Sequence, residues 1–559
     1  MGAPPWRRQN GIPFHHGTAA AWLFPSLNPI LLADLRWPRA DADHLLVSSS
    51  QMAELEQQLF ASGLPVESLM EKAALALSRR LLEQHGADLR ASGALVLVGP
   101  GHNGGDGLVI ARELHLAGIS TRIWSPFERH KPLTAAHLRH AHWLGIPRLQ
   151  QPPPARGPEL WIDALLGIGQ RQAVDEALDT LLAERQRQRP QRLVAVDVPT
   201  GLCADSGRPT GRHPAAAHTT YCIGLLKWGL VQDPALAWVG AVERVDLALP
   251  PQLLDGLPRQ QPLGLCAADG ESAPWPAADP AQGKYGRGRL LVIAGSPAYR
   301  GAAQLCLSGA SASGCGSLRA AVPTPVAEGL WSVQPHVVLA AALQGHGQGG
   351  LNLGDLPAAA LERLDAVVLG PGLGPGPERA DGSAVLERDA QSWERLQRLE
   401  ALLLIDADGL NRLAGRGDAS NWLQQRQGPT WITPHAGEFA RLFPELANLP
   451  PLEAASAAAS SSRAAVLLKG ARTVIASPDG RRWQLLEASS EAARAGLGDV
   501  LAGYAAGMGA RAMAAAADAD AALLAAAALN HAAAGLRISR EGDTPMAIAA
   551  ALEQRITAK

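Results

Sequence analysis

Two blocks of alternating strand-like and helix-like segments dominate this sequence and limit the folds open to it. In the first block, apolar runs such as ALVLVG at 94–99 and RLVAVDVP at 192–199 are separated by segments of helical periodicity. In the second block, RLLVIAG at 289–295 and ALLLIDAD at 401–408 continue the same alternation. Near-continuous Val, Leu and Ile strands between helices are typical of parallel sheets covered on both faces. Each block therefore predicts a three-layer α/β domain.

The remaining predicted strands lie at similar intervals along the chain. They are 120–125, 159–167 and 219–224 in the first block and 365–370, 430–434 and 465–470 in the second. A helix is predicted after Ser48, because Gln51 completes a capping box ahead of an apolar stripe. The strands of the second block end in Gly, Asp, Pro or Lys. In open α/β sheets, ligands bind at this carboxyl edge.

The composition changes between the two blocks. Pro, Gly, Gln and Ala predominate from residue 253 to residue 283, which indicates a domain boundary. Residues 1–43 are rich in Trp, Pro and Arg without periodicity, and we expect a disordered extension there. The chain is thus predicted to comprise this extension, a domain over 44–252, a linker over 253–283 and a second domain over 284–559.

Charge and cysteine content narrow the possible partners and locations. The formal net charge is −2 and Lys and Arg do not cluster, which argues against binding to nucleic acid or to an anionic membrane. The five cysteines include no CxxC pair, so no zinc site is expected, and their odd number fits a reducing, cytoplasmic setting. No signal peptide is expected. Polar residues interrupt the alanine-rich stretch at 514–534, which predicts a buried helix rather than a membrane span.

Three strand ends of the first block carry polar residues suited to a ligand site. The sequence HNGGDG at 102–107 follows one strand, and its glycines let backbone N–H groups approach an anion. Asn103, Asp163 and Thr200 each offer a side-chain oxygen, the ligand that hard cations prefer. Asp197 ends another strand and is a candidate acid–base group. A strand-end Asp often only caps a helix, but the three strand ends together favour a site.

The second block carries a different set of candidate residues. An Asp inside a glycine nest at a helix start suits phosphoryl transfer to an alcohol, since the nest binds oxyanions and the carboxylate accepts the hydroxyl proton. This arrangement occurs in AGLGDVLAG, with Asp499 between Gly498 and the predicted helix. The other candidates at strand ends are Asp406, Asp408, Asn411, His435, Lys469 and Thr473.

The motifs SLMEKAA, VGPGHNGGDGLVIAR, DALLGIG and VAVDVPTGL, in this order, resemble the NAD(P)HX epimerase family, also called the YjeF N-terminal domain. The resemblance covers residues 44–252 and implies a Rossmann-like fold that epimerises C6 of hydrated nicotinamide nucleotide. It implies a potassium ion held by Asn103, Asp163 and Thr200, with Asp197 at the reacting ring. The further substrate contacts that it implies are His102, Asn103, Gly104, Gly105, Asp106 and Gly167.

The motifs GSPAYRGA, GPGLG, IDADGLN, TPHAGE, KGART and GLGDVLAG, in this order, resemble the ADP-dependent NAD(P)HX dehydratase family of the ribokinase superfamily. The family phosphorylates the C6 hydroxyl of the S hydrate with ADP, and loss of phosphate regenerates NAD(P)H and leaves AMP; magnesium accompanies the nucleotide. The resemblance implies that Asp499 is the base. It implies that Ala302, Gly372, His435 and Asp499 contact the hydrate and that Lys469, Gly470, Ala471, Arg472, Thr473 and Gly498 hold ADP.

The leading hypothesis is therefore a bifunctional repair enzyme for NADHX and NADPHX, expected to be a homo-oligomer. The segment SSEAARAGLGD lacks the Asn, Met and Thr that the dehydratase family usually has there, so an epimerase with a weakened or inactive dehydratase half stays open. A ribokinase-type small-alcohol kinase is a second alternative. A binding module built on the first domain is a third. The sequence leaves open the choice between NADHX and NADPHX, and that between ADP and ATP.

Overall fold

The computed structural model describes residues 37–277, 279–487, 492–538 and 544–557. It confirms two α/β domains, each with helices on both faces of a largely parallel sheet. All ten predicted strands form, with ends within two or three residues of the predicted ones. The capping box at Ser48 is also confirmed, since Ser48 and Gln51 exchange hydrogen bonds at the start of the first helix.

The N-terminal domain contains nine strands and seven α-helices among the described residues. The strands are β1 (Leu46–Val47), β2 (Ala94–Val98), β3 (Thr121–Trp124), β4 (Arg148–Leu149), β5 (Leu160–Ala164), β6 (Leu193–Val196), β7 (Thr219–Ile223), β8 (Leu226–Lys227) and β9 (Ala241–Val245). The helices are α1 (Ser49–Ala61), α2 (Val66–Ser92), α3 (His102–Leu116), α4 (Pro132–Trp143), α5 (Glu176–Gln188), α6 (Leu236–Val239) and α7 (Pro251–Asp255).

The main sheet of this domain is parallel, in the order β4-β3-β2-β5-β6-β7-β9, and β1 pairs with β8 beside it. Strands β2, β5, β6 and β7 are buried along their whole length. The chain reverses its direction of winding at β2, and β5 pairs with β2 on the other side from β3. Ligands bind at such a switch point in open α/β sheets. The ends of β2, β5 and β6 therefore define the expected location of a site.

The glycine-rich segment after β2 is helical. Helix α3 begins at His102, so HNGGDG forms its first turns. A Cβ added at Gly104 would lie 2.1 Å from the carbonyl oxygen of Gly99, and one at Gly107 would lie 2.4 Å from Ala164 Cβ. Glycine is required here because the helix start packs directly on the ends of β2 and β5.

The C-terminal domain contains ten strands and ten α-helices among the described residues. The strands are β10 (Leu263–Leu265), β11 (Arg289–Ile293), β12 (Ser317–Pro323), β13 (Val338–Leu343), β14 (Ala366–Leu369), β15 (Leu402–Ile405), β16 (Thr430–Ile432), β17 (Ala465–Leu468), β18 (Val474–Ala476) and β19 (Arg482–Leu485). The helices are α8 (Arg300–Ala312), α9 (Thr324–Val333), α10 (Ser383–Arg398), α11 (Ala407–Gly415), α12 (Ala419–Gln424), α13 (Ala436–Leu442), α14 (Pro451–Ser462), α15 (Leu497–Ala514), α16 (Ala521–Ile538) and α17 (Pro545–Thr557).

The sheet of this domain has the order β10-β19-β18-β17-β16-β15-β14-β11-β12-β13. All neighbours are parallel except β17 with β18 and β18 with β19. Helix α15 lies across the sheet and packs on α8, β14 and β15. A Cβ at Gly503 would lie 1.9 Å from the carbonyl oxygen of Cys306, so small residues set this close contact. The contact fixes the start of α15, and with it Asp499, above the carboxyl ends of the central strands.

Two predicted segments differ from expectation. Residues 1–36 lie outside the described residues, but residues 37–43 of the predicted disordered extension pack on the protein. Trp37 is buried, donates a hydrogen bond to the Asp269 carbonyl and accepts one from Trp483. The predicted linker over 253–283 likewise contributes β10, which pairs with β19 at the edge of the C-terminal sheet. The two domains therefore share contacts through both segments.

The alanine-rich helix α16 is the one described helix that is long and apolar enough to cross a membrane. However, 72% of it is buried inside the protein. It packs on α15 and α17, which confirms the predicted buried helix.

Candidate active sites in the two domains

The N-terminal candidate residues meet at adjacent strand ends, as predicted. Asn103 follows β2, Asp163 lies in β5, and Asp197 and Thr200 follow β6. These three strands are neighbours in the sheet. Gly167 completes the group, since a Cβ there would lie 3.4 Å from Asn103 Cβ and 3.5 Å from Asp197 Oδ2.

Asp163 and Thr200 form a fully buried pair. Asp163 Oδ2 accepts the Thr200 backbone N–H at 2.8 Å, and Asp163 Oδ1 accepts the Thr200 hydroxyl at 2.8 Å. The Thr200 hydroxyl oxygen in turn accepts the Leu166 N–H at 3.2 Å. Burial raises the pKa of Asp163 to about 6, against these hydrogen bonds, which lower it. The Asp163 carboxylate and the Thr200 hydroxyl still have oxygen lone pairs that can bind a further ligand.

The oxygen set at this position fits a hard cation. Among the described residues, no cationic side chain acts on the Asp163 carboxylate. Asn103 Nδ2 is buried without a hydrogen-bond partner. Rotation of that amide would present its oxygen instead, because the two amide atoms are assigned from their partners. A buried carboxylate without a counter-charge is costly, and a cation beside it would offset that cost.

Asp197 forms an ion pair that the sequence did not predict. Lys227 Nζ lies 2.5 Å from Asp197 Oδ1 and 2.7 Å from the Ile223 carbonyl oxygen. The Lys227 side chain is only 1% exposed. Its pKa is raised: desolvation lowers it, and the attraction of Asp197 outweighs that effect. Asp197 adopts φ 66°, in the left-handed region, which aims its carboxylate back at the site.

Further carboxyl groups line a cavity beside this ion pair. Glu56, His102 and Asp106 form its polar part, and apolar side chains of α1 and α2, together with Ile223 and Leu247, form the rest. Burial raises the pKa of Glu56 to about 7, while the charge of Lys227 lowers it. Burial also raises the pKa of Asp106, and the charges of Asp197 and Glu56 add to the effect. Both carboxyl groups of this cavity therefore hold a proton more strongly than an exposed carboxyl group does, and the ion pair of Asp197 and Lys227 lies beside them.

The C-terminal site is organised around Lys469, whose side chain is 21% exposed. Lys469 Nζ lies 2.6 Å from Asp406 Oδ1 and 3.9 Å from Glu438 Oε2. Burial raises the pKa of Glu438, an effect that Lys469 opposes. A Cβ at Gly498 would lie 3.4 Å from Lys469 Nζ, so the start of α15 closes over this group. The structure therefore brings together Asp406, Lys469 and Gly498 from three separate motifs.

Asp499 lies in the first turn of α15 and is partly buried. Burial and the nearby Asp406 carboxylate raise its pKa to about 7, against the lowering effect of the Lys469 charge. A carboxyl group with a pKa near neutrality is suited to accept a proton from an alcohol. Gly496, with φ 94°, forms the cap of this helix. Residues 489–491 of the altered SSEAARAGLGD segment lie outside the described residues.

His435 and Asp408 hold the neighbouring loops. His435 Nδ1 accepts hydrogen bonds from the backbone N–H groups of Gly437 and Glu438 at the start of α13. The Glu438 carboxylate accepts a hydrogen bond from the backbone N–H of His435 at 2.8 Å. Asp408 Oδ2 accepts the Gly374 N–H at 2.8 Å. The His435 ring is thus fixed by a helix cap, and more than half of its side chain remains exposed to a ligand.

The two other predicted hydrate contacts are adjacent. A Cβ at Gly372, where φ is 65°, would lie 2.5 Å from Ala302 Cβ. The loop after β14 and the start of α8 therefore touch, which only glycine at position 372 permits.

The predicted nucleotide residues 469–473 form the connection between β17 and β18. Lys469 is directed into the site, whereas Gly470 and Ala471 are exposed. The Thr473 hydroxyl donates to the Gly470 carbonyl at 3.3 Å, which closes the loop on itself. Arg472 Nε is buried without a partner.

Three residues that form these sites were missed from the sequence. Lys227 lies in the run GLLKWGL, where a lysine within an apolar stretch was the available signal. Glu56 lies on the helical stripe of α1, and nothing local distinguishes it from a surface glutamate. Glu438 belongs to the quoted TPHAGE motif, where only the histidine was singled out.

Comparison with known proteins gives closely similar relatives. The chain is 41% identical over 466 residues to the bifunctional NAD(P)H-hydrate repair enzyme Nnr of Gloeobacter violaceus, covering 82% of this chain and 87% of that one. It is 39% identical over 465 residues to the enzyme of the same name from Synechocystis, covering 83% and 85%. Among solved structures, the ADP/ATP-dependent NAD(P)H-hydrate dehydratase of Bacillus subtilis, co-crystallised with ATP and Mg²⁺, is 23% identical with a TM-score of 0.41. That match covers 52% of this chain and 97% of that one.

The fold and the two sites define a two-domain α/β enzyme, with a largely parallel sheet in each domain. The family described as YjeF-related protein N-terminus matches residues 66–229, and the family described as NAD(P)H-hydrate dehydratase matches residues 290–557. With the relatives above, these matches show that the chain belongs to the family of bifunctional NAD(P)H-hydrate repair enzymes, in which an epimerase domain precedes a nucleotide-dependent dehydratase domain.

Proposed function

We propose that Asp197 is the acid–base group of the epimerase and that Asp499 is the base of the dehydratase. The ion pair between Asp197 and Lys227 at the switch point of the sheet supports the first assignment. The position of Asp499 in a helix start beside the Lys469–Asp406 pair supports the second. The substrates are NADHX and NADPHX, and ADP is the second substrate of the dehydratase half.

Epimerisation at C6 requires the hydroxyl to leave from one face of the ring and water to add to the other. The departing oxygen takes a proton and leaves as water, and the added water must give one up. Asp197 can donate and then recover this proton. The nearby Lys227 ammonium stabilises the carboxylate each time it forms. His102, Gly104, Gly105 and Asp106 would contact the hydrated nucleotide where α3 begins, because a helix N-terminus favours phosphate oxygens.

A potassium ion is proposed at Asn103, Asp163 and Thr200, in keeping with the oxygen donors described above. When bound, the ion supplies positive charge that stabilises nearby phosphate and carboxylate oxygens. The protein's own part is to hold the Asp163 carboxylate in one orientation through three hydrogen bonds. The loop at Gly167 would then cover the ring of the substrate beside Asp197.

In the dehydratase half, Asp499 removes the proton from the C6 hydroxyl, and the oxygen attacks the β-phosphoryl group of ADP. The bond from the β-phosphorus to the bridging oxygen breaks, and AMP leaves. The phosphorylated hydrate then loses phosphate from C6 and a proton from the neighbouring ring carbon C5, so a good leaving group replaces hydroxide and the ring double bond of NAD(P)H is formed. Lys469 would neutralise phosphate charge and Gly498 would offer its backbone N–H. Ala302, Gly372 and His435 would shape the pocket for the hydrate. Magnesium would shield the phosphates when bound with ADP.

The surface and the cysteines bear on oligomeric state and location. We propose a homo-oligomer, because Trp331, Val338 and Leu339 are exposed near the edge strand β13. Light scattering of the purified protein tests this directly. The five free cysteines fit a reducing cytoplasm.

The proposed function is tested by recovery of absorbance at the NADH band. Purified protein receives a mixed pool of R and S NADHX with ADP, Mg²⁺ and K⁺. Recovery of the whole pool, faster than spontaneous epimerisation allows, is expected. Asp197→Asn should consume the S fraction only, and Asp499→Asn should recover nothing. If the wild-type protein recovers nothing from pure S hydrate with either ADP or ATP, the C-terminal site is inactive and the altered SSEAARAGLGD segment is the cause to examine.

A further inference from the structure

A carboxylate from the epimerase domain is bound to the loop that we assign to ADP in the dehydratase domain. Asp233 lies in a short 3₁₀ turn, Asp233–Ala235, after β8 of the N-terminal domain. Its Oδ1 accepts the backbone N–H of Arg472 at 2.7 Å, and its Oδ2 accepts the N–H of Ala471 at 3.0 Å. Both carboxylate oxygens are therefore used by two consecutive amides of the partner domain.

The contact is close enough to restrict the loop sequence. A Cβ added at Gly470 would lie 2.3 Å from Asp233 Oδ2, below any allowed separation. The loop can accept the carboxylate in this position only because residue 470 has no side chain. Hydrogen bonds from amides to an ionised carboxylate are also stronger than those between neutral groups.

The surrounding contacts hold Asp233 in place. The adjacent Gln232 is buried, and its Oε1 accepts the Leu452 N–H at the start of α14 at 3.0 Å. Farther along the same interface, Arg208 donates to the carbonyl oxygen of Asn448 at 2.8 Å. The carboxylate is thus presented by a docked surface, and its position depends on how the two domains are joined.

The loop over residues 469–473 contacts both the C-terminal site and the N-terminal domain. Lys469 extends into the site, where it pairs with Asp406. The backbone N–H groups of residues 471 and 472 instead donate hydrogen bonds to Asp233, outside the site. Fixing these amides fixes the backbone that carries Lys469 and Thr473 at its two ends.

We propose that Asp233 is a positioning residue for the dehydratase: it holds the nucleotide loop in its ADP-binding conformation from the neighbouring epimerase domain. This inference rests on the proposed function, in which residues 469–473 bind ADP. The epimerase domain then contributes to ADP affinity without touching the nucleotide. The contact between the two domains would then affect catalysis by the dehydratase directly, in addition to allowing the two domains to share a substrate.

The test compares full-length variants at position 233 with the wild-type protein. Asp233→Ala removes both acceptors and should raise the KM for ADP about tenfold, with a smaller effect on kcat at saturating ADP. Asp233→Asn keeps one acceptor oxygen and should have an intermediate effect. ADP affinity is measured in parallel by calorimetry without hydrate, and epimerase activity should be unchanged in both variants.

A matched control separates loop positioning from loosening of the interface. Arg208→Ala removes another hydrogen bond between the domains, away from the loop, and should leave the KM for ADP unchanged. An unchanged ADP affinity in Asp233→Ala overturns the proposal. A tighter affinity also overturns it, because Asp233 would then compete with the nucleotide for the loop amides. If wild-type protein binds no ADP, or if Lys469→Met binds ADP as well as wild type, the assignment of the nucleotide loop itself fails.

Discussion

Lys227 Nζ lies 2.5 Å from Asp197 Oδ1, and the side chains of Lys227 and Asp197 are only 1% and 12% exposed. The two residues come from different strand ends, 30 positions apart in the chain. A buried cation and anion at this distance depend on each other, because each would be an uncompensated charge alone. The pair therefore links the stability of the N-terminal domain to the acid–base chemistry of its site.

We expect Lys227→Met to lower epimerase activity by about 100-fold or more, since the carboxylate form of Asp197 loses its counter-charge. The variant should also lose about 3–5 kcal/mol of stability in this domain, as is typical when one partner of a buried pair is removed. Conversion of R to S hydrate, coupled to excess active dehydratase, measures the first effect. Thermal unfolding measures the second.

The double variant Lys227→Met/Asp197→Asn supplies the control. Removal of both charges should recover much of the lost stability but none of the activity. Equal stability of the single and double variants would contradict the dependence of the two charges on each other.

The sequence predicted the central strands of both sheets, because these strands are apolar runs with clear ends. It did not predict the strands β1, β4, β8, β9, β18 and β19. It missed β12 and β13, whose sequences SLRAAVP and VLAAAL are rich in alanine and have no strong strand preference. It missed β10 as well, because that strand exists only through pairing with β19, more than 200 residues later. Trp37 was likewise predicted to be disordered because its hydrogen-bond partners, Asp269 and Trp483, are distant in sequence.

The site residues also differ in whether a local sequence signal predicts them. Asp197 and Asp499 stand in motifs with local signals, a strand end and a glycine-rich helix start. Lys227 and Asp233 become functional candidates only through partners on other elements. The raised pKa of Asp499 likewise depends on burial and on Asp406, neither of which a linear motif encodes. The linear motifs therefore identify individual site residues but do not predict the tertiary contacts between them.

The proposed potassium site predicts a specific role for the Thr200 hydroxyl. Thr200→Val removes the group that bridges Asp163 Oδ1 and the Leu166 N–H. The K⁺ concentration for half-maximal epimerase activity should rise about 10-fold or more, because the ion loses one oxygen ligand and Asp163 loses a hydrogen bond that orients it. Stability should fall by about 1–3 kcal/mol because a buried N–H loses its acceptor.

Thr200→Ser is the matched control, since it keeps the hydroxyl and should behave like wild type. The K⁺ titration is made at constant ionic strength with choline chloride as the balancing salt. Identical K⁺ dependence of the Val and Ser variants would remove Thr200 from the ion site.

Lys469 should set the pH range of the dehydratase. Its charge lowers the pKa of Asp499, which burial and Asp406 raise to about 7. A base must be ionised to act, so activity should rise with pH through this range. Lys469→Met removes the lowering charge and should move the acidic limb of the kcat/KM profile to higher pH. Lys469→Arg retains the charge and should leave the limb nearly in place, although both variants lose rate. An acidic limb at the same pH in all three proteins would show that another group controls it.

Asp499 should also make the stability of the C-terminal domain depend on pH. The unfolded carboxyl group has a pKa of about 3.9, whereas burial raises the pKa of Asp499 in the folded protein to about 7. Between these values the folded protein retains a proton that the unfolded chain has released. The contribution of Asp499 to the free energy of unfolding therefore falls as pH rises through this window. Asp499→Asn carries no such proton and should be more stable relative to wild type at pH 8 than at pH 5.

Calorimetric melting at the two pH values measures this difference, with the transition of the dehydratase domain identified by its shift on addition of ADP and Mg²⁺. Asp518→Asn, at an exposed position of the same domain, is the control and should show the same difference from wild type at both pH values. If Asp499→Asn gains no stability relative to wild type between pH 5 and pH 8, the carboxyl group is already ionised at pH 5 in the folded protein. Asp499 would then reach its role as base without the raised pKa, and the acidic limb of activity would have to be assigned to Glu438, whose pKa burial also raises.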